Sequence, residues 1–448
     1  MNNLKIGYAQ VNITPPMGID ITGYYKIRKA EGVLDDLYAT VMAASDGEKT
    51  VLFCSLDIIG YRNNGCDVFR DAVSEATAIP REAIFMGATH THTGPNVDVL
   101  ATGELEKGYI KFLLHKVCDA AKFAIADLKD AKMAYGVGKA ERISFGRRYL
   151  MKDGSCRTNP GVNNPDIVAP IGEVDERVGV VRFDREGAET IVLINFGTHP
   201  DTIGGNLISA DWPSFARRTV EAAIDNTKCI FFNGAQGDVN HVNVMPRPGE
   251  SNGMFHDFDD VDRGYSHARH MGNVVAGAVL QIYEKLPYSE VESLKYVETI
   301  AKIPANVPTK EELPLAEKYL ALHNAGRDEE IPFKGMALTT EIARASRMIR
   351  LKDGPEYFEL PMTAISIGNV AFISIPGEPF TTVGLGLKAN NTEFDLVVPC
   401  ALTNGYKGYF PNADAYAEGG YESASSSFKP GVAEMLVEEG TKLIKKLL

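Results

Sequence analysis

The stretch Gly87-Ala-Thr-His-Thr-His-Thr-Gly-Pro95 places two imidazoles, His90 and His92, just beyond the apolar run Ile84-Phe85-Met86. Residues two apart in an extended chain face the same side, so both rings would share one face at the end of a buried strand. Neutral imidazole is the commonest metal ligand and also an acid or base near neutral pH; one ring could hold a metal while the other moves protons. Two hydrogen-bonded histidines in a polar turn fit the same short string.

The pattern recurs along the chain. Thr190 to Phe196 reads as a strand that runs into Gly197-Thr-His199-Pro200, and Cys229 to Phe232 runs into Asn233-Gly-Ala-Gln-Gly-Asp238-Val-Asn240-His241. Val370 to Ile375 ends at Pro376-Gly-Glu378-Pro379, where Glu378 suits either a ligand or a cap for the next helix. Leu396 to Leu402 leads to Asn404-Gly-Tyr406-Lys-Gly-Tyr409, with Tyr416 and Tyr421-Glu422 following. Two histidines and a carboxylate are a ligand set of catalytic zinc sites, which keep one position open for water.

Such residues meet only if the strand ends are neighbours. Hairpins are expected at Leu37–Ala44 with Thr50–Asp57, Val178–Phe183 with Thr190–Phe196, and Tyr357–Ile367 with Val370–Ile375; helices are expected at 66–78, 105–128, 212–224, 264–286, 382–389 and 432–447. This alternation predicts an α/β fold, a mixed β-sheet core covered by helices, with the site at the strand ends. The turn-rich stretch from Ile143 to Gly161 reads as an extended loop carrying Arg147 and Arg148, and 304–335 as a peripheral helical insertion, helical around 309–325. Met245 to Arg263 reads as a loop, with its acidic run at Asp257, Asp259, Asp260 and Asp262 a solvated face rather than a calcium site. His267 and His270, three apart on a helix, read as structural.

Composition narrows the function classes. The 448 residues carry 46 basic and 59 acidic side chains, a formal charge of −13, with no basic block, which argues against a nucleic-acid partner. No apolar run has membrane-spanning length and the N-terminus lacks a signal-peptide pattern, so a cytoplasmic protein is expected. The six cysteines are scattered without a CxxC pair, as expected of reduced, buried thiols.

The strings Gly87-Ala-Thr-His-Thr-His-Thr-Gly-Pro95, Gly237-Asp-Val239, Pro376-Gly-Glu378 and Asn404-Gly-Tyr-Lys-Gly-Tyr409, with Tyr416 and Tyr421-Glu-Ser-Ala-Ser, come in the order seen in the neutral/alkaline non-lysosomal ceramidases. So does the opening Gly7-Tyr-Ala-Gln-Val-Asn-Ile-Thr-Pro15 with Gly23-Tyr24, and the chain as a whole resembles that family's N-terminal catalytic domain. The resemblance implies a single catalytic domain over 1–448 and a zinc-dependent amidase with metal ligands His90, His199, Glu378 and Tyr409. It further implies that His92, Arg147 and Tyr421 surround the scissile carbonyl. Arg147 is preferred to Arg148, and Tyr409 to Tyr406, from the alignment of the motifs.

One departure bears on mechanism. The family has a serine after Gly-Asp-Val, where this chain has Asn240, so a serine acyl-enzyme is excluded while a metal-water route survives, with Asn240 able to donate a hydrogen bond. Neither the family's immunoglobulin-like C-terminal domain nor its secretory signal is expected in this protein. A small N-acyl compound is therefore the expected substrate partner rather than ceramide. The alternatives are a metal-dependent ester or phosphoester hydrolase, since activated hydroxide does not dictate the electrophile, and a noncatalytic binding homologue.

Overall fold

Strands β2 (Tyr38–Ser45) and β3 (Thr50–Leu56) form because most side chains on them are apolar and the Asp46-Gly47 turn between them is closed by its own carboxylate. Asp46 Oδ1 accepts hydrogen bonds from Glu48 N at 3.0 Å and Lys49 N at 2.7 Å, satisfying the turn's backbone donors. Side chains alternate between two cores: Val51 and Phe53 face one, Leu52 and Cys54 the other. A strand buried on both faces must lie between layers.

The computed structural model describes residues 4–26, 28–248, 255–256 and 262–448. The expected acidic run at 257–262 lies outside the described residues apart from Asp262. The first sheet adds β1 (Lys5–Asn12), β4 (Ile84–Ala88), β5 (Lys129–Lys139), β6 (Arg177–Arg185), β7 (Thr190–Phe196) and β8 (Thr227–Asn233), in the order β8-β7-β6-β5-β1-β2-β3-β4. The second holds β9 (Leu294–Pro304), β10 (Tyr357–Ile367), β11 (Val370–Ile375) and β12 (Leu396–Ala401) in sequential order. Most neighbours are antiparallel, but β3 with β4, β7 with β8, and β11 with β12 are parallel. The fold is α/β with mixed sheets, as the alternation of elements predicts.

The two sheets pack face to face around Phe53, whose ring lies 4.9 Å from Phe372 of β11 and 5.4 Å from Phe85 of β4. Truncating so buried an aromatic costs about 3 to 5 kcal/mol. Helices cover the outer faces. Helices α1 (Gly65–Thr77) and α2 (Glu104–Ala126) lie on one half of the first sheet, with Phe69 and Leu113 in the contact. Helices α3 (Asp211–Ala223) and α4 (Tyr265–Tyr283) cover the other half through Trp212 and Met271. The outer face of the second sheet is covered by α7 (Thr381–Ala389) and, beyond the short α8 (Tyr421–Ser425), by α9 (Val432–Lys445).

Three sequence readings change. Between β9 and β10 the helix expected at 309–325 is α5 (Leu313–Asn324), but a second, unanticipated helix follows, α6 (Gly335–Leu351), packed on α5 through Ala316, Ala345 and Met348. Threonine, arginine and serine interrupt the apolar spacing of α6, which is buried on one side only. The stretch 143–161 is not simply a loop: Arg148–Met151, Cys156–Thr158 and Ile167–Ile171 form a small sheet. The eleven-residue strands β5 and β9 were also not legible, because each mixes lysines and acids among its apolar positions.

Candidate functional site

Each parallel strand pair is a strand-helix-strand unit, and in such units ligands gather beyond the carboxyl ends of the strands. From β4 the chain turns through His90, whose φ of 77° is left-handed, and whose N–H donates to Ile58 O at 2.9 Å. From β7 it reaches His199, whose N–H donates to Val239 O. Beyond β11, Glu378 pairs in register with Tyr409, which follows β12. Gly237, on the loop after β8 that supplies Val239, lets that loop touch the Glu378 segment, since a Cβ there would lie 2.5 Å from Glu378 O.

The convergence is tight. His90 Nε2 lies 3.2 Å from His199 Nε2, and Glu378 Oε2 lies 3.3 Å from the first and 3.6 Å from the second. His92 Nε2 is 3.4 Å from His90 Nε2, so three imidazoles and one carboxylate form one buried cluster. The tautomers follow from the far side of each ring. His90 Nδ1 is 2.6 Å from Ile59 O and His199 Nδ1 is 3.3 Å from Gln236 O. A carbonyl only accepts, so Nδ1 carries a proton in both rings, and the two Nε2 atoms are left facing each other and the carboxylate. Three donor atoms that close suit a shared cation. Backbone carbonyls orienting ligand histidines in this way are the usual surroundings of a metal, and the donor set fits a divalent ion.

Electrostatics agree with that arrangement. Burial, then the Arg147 cation and the neighbouring histidines, pushes His199 well below the ordinary imidazole range, leaving it neutral. Burial pushes the Glu378 carboxyl up, but His90 and Arg147 outweigh it and hold it below its usual value. Burial and then Glu378 raise the Tyr409 phenol well above its ordinary range, while Arg147, which hydrogen-bonds to it, pulls the other way.

The remaining predicted residues stand around this cluster. Arg147 is buried, donates from Nη2 to Gly237 O at 2.6 Å and pairs through Nε with Glu422 Oε1 at 2.7 Å. Arg148 turns instead to Glu418 and the Gly419 carbonyl. The Tyr421 ring lies 5.6 Å from that of Tyr409. Asn240 accepts from Val242 N at 3.0 Å and donates to Asn159 Oδ1 at 3.3 Å. His92, Arg147, His199, Asn240, Tyr409 and Tyr421 all line one cavity of about 260 Å³.

Some strand-end residues serve the scaffold. Asp238 Oδ1 accepts from Thr381 N at 2.7 Å and Thr381 Oγ1 at 2.8 Å, so Asp238 rather than Glu378 caps α7. Burial, partly offset by those bonds, raises its carboxyl to about 6. His241 faces away toward His267, and His270 follows on the same helix. Asp201 was missed, and Tyr406 was passed over in favour of Tyr409. Asp201 lies 3.5 Å from His92 Nδ1 and accepts from the Tyr24 hydroxyl at 2.6 Å, and Tyr406 stands 6.0 Å from the His90 ring beside Glu378. The only sequence signal for Asp201 is its place two residues after His199.

No family model matches the chain. The chain is 24% identical over 412 residues to a neutral ceramidase of Mycobacterium tuberculosis, covering 81% of this chain and 62% of that protein. It is 31% identical over 100 residues to a neutral ceramidase of Oryza sativa subsp. japonica, covering 20% of this chain and 13% of that one. The crystal structure of neutral ceramidase from Pseudomonas aeruginosa superposes on the whole chain with a TM-score of 0.73 at 17% identity, covering 75% of that chain. The chain is neutral ceramidase-like. This ceramidase-like chain spans 62% of the length of the first of these relatives, and among its described residues no helix is long and apolar enough to cross a membrane.

Proposed function

We propose that the chain is a zinc-dependent amidohydrolase that cleaves the amide of a small N-acyl compound. The observation that carries this reading is the meeting of His90 Nε2, His199 Nε2 and Glu378 Oε2 within 3.6 Å, with His199 opening onto the cavity that Arg147 and Tyr421 also line. The relatives named ceramidases, enzymes of an N-acyl lipid by name, support it.

His90, His199 and Glu378 would hold the ion, with Tyr409 as the fourth ligand once the ion favours its phenolate. A bound divalent ion supplies Lewis acidity, polarising a carbonyl and lowering the pKa of water from 15.7 to about 7. The protein supplies the rest. Burial works against the Arg147 charge, but Tyr409 and Glu422 outweigh it and raise its pKa, so the guanidinium stays cationic. It can therefore donate to the oxyanion that develops on the scissile carbonyl. Tyr421, whose hydroxyl burial keeps protonated, donates beside it. One such donor is worth roughly 2.7 to 4 kcal/mol in the transition state. His92, oriented by Asp201, is placed to pass a proton to the leaving amine nitrogen. Asn240 offers its amide N–H where the family's serine stands.

Metal analysis of the purified chain, with turnover of an N-acyl panel beside carboxylic ester and phosphoester panels, tests the reading. Stoichiometric zinc and metal-dependent amide cleavage are expected. Release of phosphate or alcohol without amide cleavage, or metal-loaded protein without turnover, overturns it.

A further inference from the structure

The cavity has two unlike walls. One is the polar chemistry just described, and the other is the start of α6, from which Met336, Leu338 and Ile342 face the cavity. These are the only non-aromatic apolar side chains among its described lining residues, glycines aside. Ile342 is buried; Met336 and Leu338 are half-buried, so they contact the space without being consumed by the core. Leu338 and Ile342 are one helical turn apart, and 336, 339 and 342 repeat at three, so the stripe runs along the helix axis. From 336 to 342 it extends about 9 Å at 1.5 Å rise per residue.

The stripe is fixed in place. Helix α6 packs against α8, which carries Tyr421, and Arg350 Nη2 donates to Ser427 Oγ at 2.8 Å. The segment before α6 is tied to the loop bearing Tyr24 and Tyr25: His323 lies 2.8 Å from Asp328 and its Nε2 donates to Tyr25 O at 3.1 Å. No further aliphatic side chain follows α6 among the described lining residues; beside the Tyr24 and Tyr25 phenols the wall there carries the charged or polar Lys26, His323 and Asp328. Methylenes driven against them would strip water from charged groups without replacing it.

We propose that the Met336-Leu338-Ile342 stripe is the acyl-chain subsite of the reaction proposed above, and that its length selects single acyl chains of about six to eight carbons. The inference rests on that amidohydrolase reading, and Met336, Leu338 and Ile342 are its specificity-determining residues. A long-chain N-acyl lipid has too much apolar length for this wall, whereas a medium chain on a compact polar amine matches both walls.

The test separates binding from turnover. Calorimetry of the metal-free chain with straight-chain carboxylates from acetate to palmitate, kept below micelle-forming concentrations, reads the subsite alone. Affinity is expected to rise about fourfold per methylene through octanoate and to stop rising at dodecanoate and palmitate. Ile342→Trp, and Leu338→Trp at a half-buried position in case the first does not fold, should move the cut-off to shorter chains. Affinity that keeps rising to palmitate, no binding of any chain, or an unchanged cut-off in a folded tryptophan variant overturns the proposal. The matching N-acylethanolamines, offered to the zinc-loaded chain, should show the same cut-off in kcat/KM. If the carboxylate cut-off stands but no amide is cleaved, the amidohydrolase reading falls while the subsite remains.

Discussion

Arg147 Nε and Glu422 Oε1 lie 2.7 Å apart, with the two side chains 7% and 0% exposed. Glu422 also accepts from Thr158 Oγ1 at 3.0 Å, so it is fixed from a second side. Removing the carboxylate leaves a buried guanidinium uncompensated, which costs about 3 to 5 kcal/mol. Glu422→Ala should lose that much in urea unfolding, and any folded fraction should lose turnover because Arg147 is no longer aimed. Glu422→Gln, retaining an acceptor, should lose less of both. Equal stability of all three proteins would contradict this account of the pair.

Gly237 is where the loop that holds His199 through Gln236 O and Val239 O touches the Glu378 loop. A methyl group there would meet the Glu378 carbonyl at 2.5 Å and the Pro379 carbonyl at 2.9 Å, both backbone atoms that cannot swing aside. Gly237→Ala should cost about 1 to 3 kcal/mol in overpacking and weaken zinc binding, read by competition with a chromophoric chelator. Unchanged zinc affinity would show that the loops yield without disturbing Glu378.

Metal removal should be felt in stability. An ion that binds only the folded chain adds about 2.7 kcal/mol at a hundredfold excess over its Kd. Thermal melts after chelation should therefore fall and recover with zinc. In His199→Ala, melts should respond to neither treatment, while a surface histidine variant should behave as the parent.

Acid sensitivity has a local source at Asp175. It accepts from Arg177 Nε at 2.7 Å and from Lys388 Nζ at 2.8 Å. Burial opposes them, but they hold its carboxyl down at about 2 against the usual 3.8. A depressed acid stabilises the fold above its unfolded pKa, so this contribution is complete above about pH 5 and disappears between roughly pH 4 and 2. At 1.36 kcal/mol per unit it amounts to about 1 to 2 kcal/mol after allowance for solvent screening. The stability difference between parent and Asp175→Asn should shrink over that window; a constant difference would place the effect elsewhere.

Much of the site was legible because its residues sit where apolar runs stop. His90, His199, Glu378 and Tyr409 each follow a strand whose hydrophobicity marks it as buried, and buried strands of one sheet system end near one another. Asp201 escaped notice because nothing local separates a loop carboxylate that faces a cavity from one that faces water. Glu378 illustrates the limit: its sequence context suited a helix cap equally well, and only the Asp238 to Thr381 bonds, 143 residues apart in sequence, show where the cap comes from. Helix α6 was lost for a different reason, since a helix buried along one side can carry threonine and arginine between its contacts without penalty.

His90 and His199 leave the first sheet, whereas Glu378 and Tyr409 leave the second. An ion gripped by all four would rivet the layers at one end, so that shearing one across the other would require a coordination bond to break. The chemistry and the mechanical lock would then be the same few atoms, and a fragment carrying either layer alone would possess neither.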